Sequence, residues 1–295
     1  MSYASVKNLG SKDPKNVEII WWDDFDDWFR TVEDEHGNEF VCFPKMYRRI
    51  DKIQDGQITD FTMSFTKEDE NFEPYSVFVR PDGSEMPYVL IGKYLSGGYD
   101  VCESKKKYPV WQTIGNARDH ARALGKGYQL YDWQFQKLFQ DLALVAAETV
   151  DFQNGSETIA EYLGVHQLDW GCWVDGVAAD NGKWLIASDP AYYISHPTEQ
   201  SEGYKAVYTC QDQTGVVMTL GFNEQNPFFN YPVKTEYNNA YRSNTYYCDM
   251  YHHAYGNRPV YSDVGRAYSN SGLFYCDVDI NWVSTGGVRI CYRPL

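Results

Sequence analysis

The last 59 residues of the chain, 237–295, contain no Lys, no Glu and no Gln, although the first 236 residues contain 44 of them. The same segment holds ten Tyr and six Asn, with many Ser, Asp, Gly and Arg. A Tyr side chain makes a large amphipathic contact and loses little conformational entropy on binding, and small polar residues around it can adjust the hydrogen bonds. The composition therefore predicts an adaptable binding surface; the alternative is a Tyr-rich β core that is poor in Lys and Glu by chance.

The missing residue types also follow a pattern in the genetic code. Codons that end in a pyrimidine can encode Tyr, Asn, Ser, Asp, Gly, Arg, Cys and His, and they never encode Lys, Glu, Gln, Met or Trp. The segment therefore indicates a genetic cause for its composition in addition to a structural one.

The net charge of −15 is unevenly distributed along the chain. The last 59 residues carry five Arg and four Asp, so the preceding 236 carry −16. A nucleic-acid partner is not expected, because binding a phosphate backbone needs a basic stripe and the sequence has none. We also expect no membrane insertion and no signal peptide, since no apolar run approaches the roughly 20 residues of a membrane span and the first 18 residues lack an apolar segment.

Seven Cys are scattered along the chain without a Cys-x-x-Cys pair, so the sequence predicts mainly free, buried thiols and no zinc site or disulfide framework.

Residues 1–16 are polar and predict a flexible N-terminal arm, with order beginning near Val17. Residues 17–295 show no composition break typical of a hinge, which favours a single elaborated domain.

Short apolar runs separated by turn signals predict mostly β-strand between Glu18 and Leu95, and again after Gly155. Two segments between these parts have helical spacing. Apolar residues recur every three or four positions in Trp111–Leu124, and Asp132 is a candidate N-cap for a helix over Asp132–Val150. The predicted fold class is α+β, with two helices packed on small antiparallel sheets and many loops.

Neither a catalytic centre nor a cofactor is predicted, because no Cys or Ser lies in a recognisable nucleophile turn near a His and the Gly-rich pieces lack the context of a nucleotide site.

In residues 274–282, alternation predicts that Cys276, Val278, Ile280 and Trp282 point inward. Tyr275, Asp277, Asp279 and Asn281 then point outward. Two carboxylates fall short of the roughly six to eight oxygens that Ca²⁺ prefers, so no metal site is predicted there.

Three long motifs carry a resemblance that covers nearly the whole ordered chain. The chain resembles the C-type lectin fold, in its formylglycine-generating-enzyme-like branch, at three motifs: FVCFPKMYRR (40–49), YVLIGKYLSG (88–97) and GKGYQLYDWQFQKLFQDLALVAAET (125–149). Within that branch, the chain resembles the variable proteins of phage tails that are diversified by retroelements. Four motifs carry this resemblance: WGCWVDGV (170–177), TYYCDMYHH (245–253), SGLFY (271–275) and TGGVRICY (285–292).

The resemblance implies a C-type lectin fold with a C-terminal variable region over about 245–284. It also implies adenine-directed mutagenesis of Asn-type codons, which leaves pyrimidine-ending codons at the ligand face. Met250 and Trp282 would then be fixed scaffold positions. Enzymes of the branch use a cysteine pair for oxidation, but Cys276 and Cys291 have no accompanying signature, so the resemblance does not extend oxidase activity to them.

The leading hypothesis is a ligand- or receptor-binding protein that is not an enzyme and is displayed on a virion tail or a cell surface. Its partner would be a protein or glycan receptor on a host cell, and a homo-oligomer is left open. The alternatives are an oxidase-like enzyme of the formylglycine-generating branch and a calcium-dependent lectin of fixed specificity. The predicted binding surface consists of Tyr251, His252, Tyr255, Asn257, Tyr261, Asp263, Arg266, Tyr268, Asn270, Tyr275, Asp277, Asp279 and Asn281.

Overall fold

Twelve segments of the chain are described by the computed structural model. They are residues 3–11, 14–20, 29–97, 102–107, 113–148, 161–167, 171–209, 215–236, 250–253, 258–262, 276–278 and 286–295.

The first 74 residues contribute one five-stranded antiparallel sheet, here called the N-terminal sheet. Its strands, in spatial order, are β2 (Glu18–Ile20), β1 (Tyr3–Lys7), β6 (Gln57–Ser64), β5 (Tyr47–Gln54) and β7 (Glu73–Pro74). Strands β5 and β6 form a hairpin whose two turn residues, Asp55 and Gly56, have φ of 51° and 74°. Asp and Gly tolerate positive φ, which this two-residue turn needs, so the hairpin is determined locally.

A second antiparallel sheet, here called the mixed-origin sheet, joins strands that are far apart in sequence. In spatial order it contains β3 (Arg30–Glu33), β4 (Glu39–Pro44), β8 (Tyr88–Gly92), β21 (Ile290–Tyr292) and β9 (Tyr128–Leu130). Strand β21 pairs with β8 on one side and β9 on the other, so the end of the chain closes the middle of this sheet. A separate two-stranded pair consists of β10 (Glu161–Tyr162) and β11 (Val165–His166).

The third sheet has nine strands and is called the large sheet. Along its main path lie β14 (Tyr204–Thr209), β13 (Lys183–Ala187), β12 (Gly171–Asp180), β18 (Arg258–Ser262), β19 (Cys276–Val278), β17 (Met250–His253), β15 (Gly215–Leu220) and β16 (Pro232–Glu236). The ninth strand, β20 (Gly286–Gly287), runs parallel to β12 and pairs with its first two residues.

Two α-helices lie between the sheets. Helix α1 (Ile114–Ala123) begins after Thr113, whose side chain accepts a hydrogen bond from the Asn116 backbone N–H. Helix α2 (Trp133–Ala147) begins after Asp132, whose Oδ1 accepts from the backbone N–H groups of Gln134 and Phe135. The acidic N-cap predicted for the second helix is therefore confirmed.

Helix α2 is buried along almost its whole length, on every side. The predicted apolar stripe, which includes Leu138 and Leu142, is completely buried in the main core. The opposite side is buried as well: Lys137 and Asp141 are 2% and 1% exposed. A helix covered all round must satisfy its polar side chains internally, and Lys137 Nζ does so by donating to Asp141 Oδ1 at 2.6 Å.

The predicted α+β class is wrong. Strands account for 42% and helices for 16% of the structure, with two α-helices among the described residues, so the protein is a β-rich fold dominated by antiparallel sheets. The predicted arrangement of two helices on small antiparallel sheets is wrong as well, since the C-terminal strands enter a sheet of nine strands. Helical periodicity located the helices, but the number and size of the sheets depend on pairings between distant segments.

Two local predictions also need correction. Residues 3–7 are not a flexible arm, because they form β1, which pairs with β6, and Ala4 and Val6 are completely buried. Burial of these apolar side chains offsets the entropy of ordering the segment. The run SVFV (76–79) is one of the short apolar runs for which β-strand is predicted. It forms instead a 3₁₀-helix over Ser76–Phe78, with Phe78 buried in the main core.

Candidate functional site

Three strands from the segment that lacks Lys, Glu and Gln lie side by side in the large sheet. Strand β18 lies between β12 and β19, and β17 lies between β19 and β15. Earlier parts of the chain thus contribute strands on both sides of this group, which we call the C-terminal strand group (β17, β18 and β19). Each of its strands has a neighbour on both sides, so their backbone groups face paired strands instead of an open edge.

The register brings three of the predicted binding residues into one cross-strand row. Asp277 of β19 is the pairing partner of His252 in β17 and of Tyr261 in β18. Tyr261 is in turn opposite Trp173 of β12. Since neighbouring strands lie about 4.8 Å apart, the backbones of His252 and Tyr261 are about 10 Å from each other.

The neighbouring row contains Val278, which the alternation predicts to point inward. Val278 of β19 pairs with Val260 and with His253, and Val260 is opposite Val174. Val174 is completely buried in the main core, whereas Trp173 belongs to a second apolar cluster with helix α1. The two rows align with Val174 and Trp173, which are both buried, so the inward orientation of Val278 and the outward orientation of Asp277 both stay predictions.

Tyr251 also lies in β17, one residue before the row. The other predicted binding residues lie outside the described part of the chain, so their mutual proximity stays a prediction. They are Tyr255, Asn257, Asp263, Arg266, Tyr268, Asn270, Tyr275, Asp279 and Asn281. The predicted inward positions Ile280 and Trp282 lie outside it as well.

The chain that follows the C-terminal strand group is fixed firmly to the rest of the fold. The backbone carbonyl of Val288 accepts from the Ser96 N–H, and that of Arg289 accepts from the Tyr131 N–H, both at 2.8 Å. Val288, Ile290 and Cys291 are completely buried, which confirms the prediction of a final core strand. The chain just before the group is fixed in the same sheet by β15 and β16.

Arg289 was not singled out from the sequence, yet it is an anchor of this segment. Its side chain is buried, with Nη1 donating to the Gly92 carbonyl at 2.6 Å and Nη2 to the His166 carbonyl at 2.8 Å. Burial lowers the pKa of Arg289 below its ordinary value. Strand alternation places Arg289, between Val288 and Ile290, on the outward face, so the local sequence contains no signal for its burial.

Four cysteines are free thiols, three of them buried. These are Cys102, Cys172 and Cys291, while Cys42 is partly exposed. Burial raises the pKa of Cys102 and Cys291 well above the ordinary value, which disfavours the reactive thiolate. Cys276 is paired to Tyr251 through its backbone, and its side chain is outside the description.

The described residues contain no group of three or more His, Cys, Asp or Glu side chains placed to hold a metal ion. Within the same residues, neither helix has the length and apolar character of a membrane span. No family model matches the chain, and no curated protein matches it.

Proposed function

We propose that this protein is a ligand- or receptor-binding protein whose binding surface is formed by residues of about 245–284 and diversified by a retroelement. We further propose that it is an adhesin of a virus or phage tail, or of a cell surface, and that its partner is a protein or glycan receptor on a host cell. The carrying observation is that three strands of this segment lie next to one another in the large sheet, between segments fixed to the scaffold.

This arrangement supports tolerance of many side-chain sets. Backbone hydrogen bonds hold a strand in a sheet whatever side chains it carries, and β12 and β15 flank the group on its two sides. Residues 215–236 before the segment and 286–293 after it contribute buried anchors such as Val217 and Val288. Loops held by a rigid scaffold are the usual place for changeable binding residues.

Binding energy would come from a few central anchors of the kinds that dominate interfaces, Tyr, Trp and Arg, while small polar neighbours adjust the fit. The composition of the segment supplies these types. The raised pKa of Cys102 and Cys291 weighs against the oxidase-like alternative, which needs a reactive thiol. A calcium-dependent lectin would lose binding when a chelator removes the metal.

A display library tests the proposal. All thirteen predicted binding positions are randomised with pyrimidine-ending codons and the library is selected against two unrelated proteins, lysozyme and streptavidin. The matched control library randomises thirteen exposed positions of residues 30–85 with the same codons.

We expect the first library to give binders to both targets and the control to give none. The proposal fails if the two libraries perform alike or if randomisation of the thirteen positions abolishes folding. Sequencing the gene's surroundings gives an independent test: a nearby reverse transcriptase and a template repeat that differs only at adenines are expected.

A further inference from the structure

A cleft of about 530 Å³ opens beside the end of helix α1, in a part of the scaffold that the binding hypothesis does not use. Its walls come from the turn at 80–86, the loop after α1, the turn at 189–193 and residues 293–295. Met86, Tyr128 and Pro190 are among its apolar and aromatic lining residues. A volume of this size fits a small molecule.

The charge of the cleft contrasts with that of the protein. Five cations line it, against two carboxylates, in a chain whose net charge is −15. The cations are Arg80, Arg118, Arg122, Lys126 and Arg293, and the carboxylates are Asp175 and Asp189. A concave site lined by one sign of charge concentrates ligands of the opposite sign.

Two of the cations are neutralised by buried partners. Arg118 pairs with Asp175, and Arg293 Nη2 lies 2.8 Å from Oδ2 of Asp132, a completely buried residue just behind the wall. Arg293 is 8% exposed, and its buried Nε has no hydrogen-bond acceptor among the described residues. Both pairs therefore belong to the wall of the cleft and leave neither guanidinium without a carboxylate partner.

The other three cations, Arg80, Arg122 and Lys126, form no ion pair with a carboxylate of the described chain. Arg80 donates to the carbonyls of Glu85 and Pro294, and Arg122 donates to the carbonyl of Pro190. These neutral acceptors position the guanidinium groups without cancelling their charge.

Three local groups reduce this positive charge but do not remove it. Hydrogen bonds from Ser84, with a smaller effect of the nearby Arg80 charge, lower the pKa of Asp82, so this carboxylate offsets part of the charge of Arg80. Asp189 caps the turn at 190–192 by accepting from the Ala191 N–H. Arg122 and Lys126 also lie near the C-terminal end of α1, whose free carbonyls carry a partial charge of about −0.5. The three unpaired cations still exceed the two nearby carboxylates, Asp82 and Asp189, together with the partial charge of the helix end.

We propose that this cleft binds a small ligand that carries an anionic group, a carboxylate, sulfate or phosphate, on an apolar body of about the size of one ring. The anionic group would be held by the unpaired cations, and the body would lie against Met86, Tyr128 and Pro190. The proposal does not depend on the role proposed for the C-terminal strand group.

Calorimetric titration of the full chain tests the proposal with defined probes. Phenyl phosphate, phenyl sulfate and benzoate carry the three anionic groups on the same ring, inorganic phosphate lacks the ring, and benzyl alcohol lacks the charge. We expect saturable millimolar binding of at least one ring anion, weakened by about 0.5 M NaCl because salt screens exposed charges. Inorganic phosphate should bind at least about threefold more weakly than phenyl phosphate if the apolar wall contributes, and benzyl alcohol should not bind.

The variant R122Q/K126Q removes two exposed cations and should weaken binding of the ring anion roughly tenfold, since charge-assisted hydrogen bonds are lost. The control K52Q/K67Q removes the same charge from exposed positions that do not line the cleft and should change the affinity by less than about twofold. Equal effects of the two variants would overturn the proposal.

A second readout locates the ligand directly. Acylation of lysine amines, followed by mass spectrometry, should show Lys126 protected by the ring anion and Lys52 unprotected. Failure of all three ring anions to bind, or binding without protection of Lys126, would overturn the assignment of the cleft. Equal affinity for phenyl phosphate and inorganic phosphate would overturn the role of the apolar wall.

Discussion

Arg118 and Asp175 form a bidentate ion pair in which Arg118 Nε lies 2.8 Å from Asp175 Oδ2 and Arg118 Nη2 lies 2.8 Å from Asp175 Oδ1. The side chains are 7% and 2% exposed, so the pair joins helix α1 to strand β12 inside the protein. Burial by itself lowers the pKa of Arg118, but the hydrogen bonds and charge of Asp175 outweigh it and raise the pKa overall.

We expect the substitutions R118M and D175N each to cost about 3–5 kcal/mol of unfolding free energy, because each leaves a buried charge without its partner. The double variant should cost clearly less than the sum of the two, since it removes both charges. Urea unfolding of the four proteins in a double-mutant cycle gives the coupling energy. Additive losses would show that the pair contributes no interaction of its own.

Gly176 of β12 occupies the irregularity at which the pairing of β12 with β18 shifts between Val174 and Ala178. Its φ is +73°, and a Cβ atom there would lie 2.5 Å from the Tyr193 ring. Gly182, in the next turn, has a similar φ of +71°, but a Cβ atom added there would meet no other atom within 4 Å.

We therefore expect G176A to cost at least about 2 kcal/mol, from backbone strain and steric overlap together, and G182A to cost about 1 kcal/mol from strain alone. Tyr193 cannot move away freely, because its hydroxyl donates to Asp132. Chemical denaturation of both variants is the measurement, and equal losses would show that the ring yields without cost.

Lys137 makes the unfolding free energy depend on pH. Burial lowers its pKa from 10.5 to about 8, although Asp141 acts in the opposite direction. Between these two values the unfolded chain binds a proton that the folded protein does not bind, so stability rises with pH from about 8 to 10.5. Below pH 8 both states are protonated, and the cost of burying the charge is fully present.

We expect the wild type to gain about 1.4 kcal/mol per pH unit within this range relative to K137M, which lacks the titrating group. In the variant, Asp141 keeps the hydrogen bond from the Tyr75 hydroxyl at 2.9 Å and the ion pair with Arg48, whose Nη1 lies 3.6 Å from Asp141 Oδ2. Unfolding in urea at pH 7, 8 and 9.5 measures the difference between the two proteins. A difference that does not change with pH would contradict the assignment.

The predicted binding surface and the final core strand should respond differently to substitution. Replacing Tyr255, Asn257, Asp263 and Asn270 together by Ser should change the unfolding free energy by no more than about 1 kcal/mol, as surface changes usually do. V288D buries a charge at a completely buried position and should unfold the protein. Thermal and urea unfolding of both variants test this; a large loss from the fourfold change would show that those residues belong to the core.

Local signals predicted several elements because their causes lie within a few residues. The Asp55-Gly56 turn supplies the positive φ that its hairpin needs. Asp132 caps α2 because the N–H groups it binds are two and three residues away. The apolar stripe through Leu138 and Leu142 follows from helix periodicity and required no knowledge of the partner surface.

Other features could not be read locally, because their partners are distant in sequence. Residues 1–16 looked like a polar arm, yet Ala4 is opposite Met63 in the N-terminal sheet. Lys137 lies on the polar side of a helix whose sequence is amphipathic. That side is buried because other elements of the fold pack against it. The predicted fold class failed for the same reason, since the size of a sheet depends on which strands meet.

The sequence by itself determined that residues 237–295 differ from the rest of the chain, and it located both helices, the final core strand and a strand that includes Cys276–Val278. These are properties of composition and short periods. The tertiary structure alone decided that Asp277 lies between His252 and Tyr261, and that five cations from separate segments line one cleft. Strand register and the meeting of these cations depend on contacts between segments that are distant in sequence. The native arrangement is the one in which the whole fold, and not any one segment, has the lowest free energy.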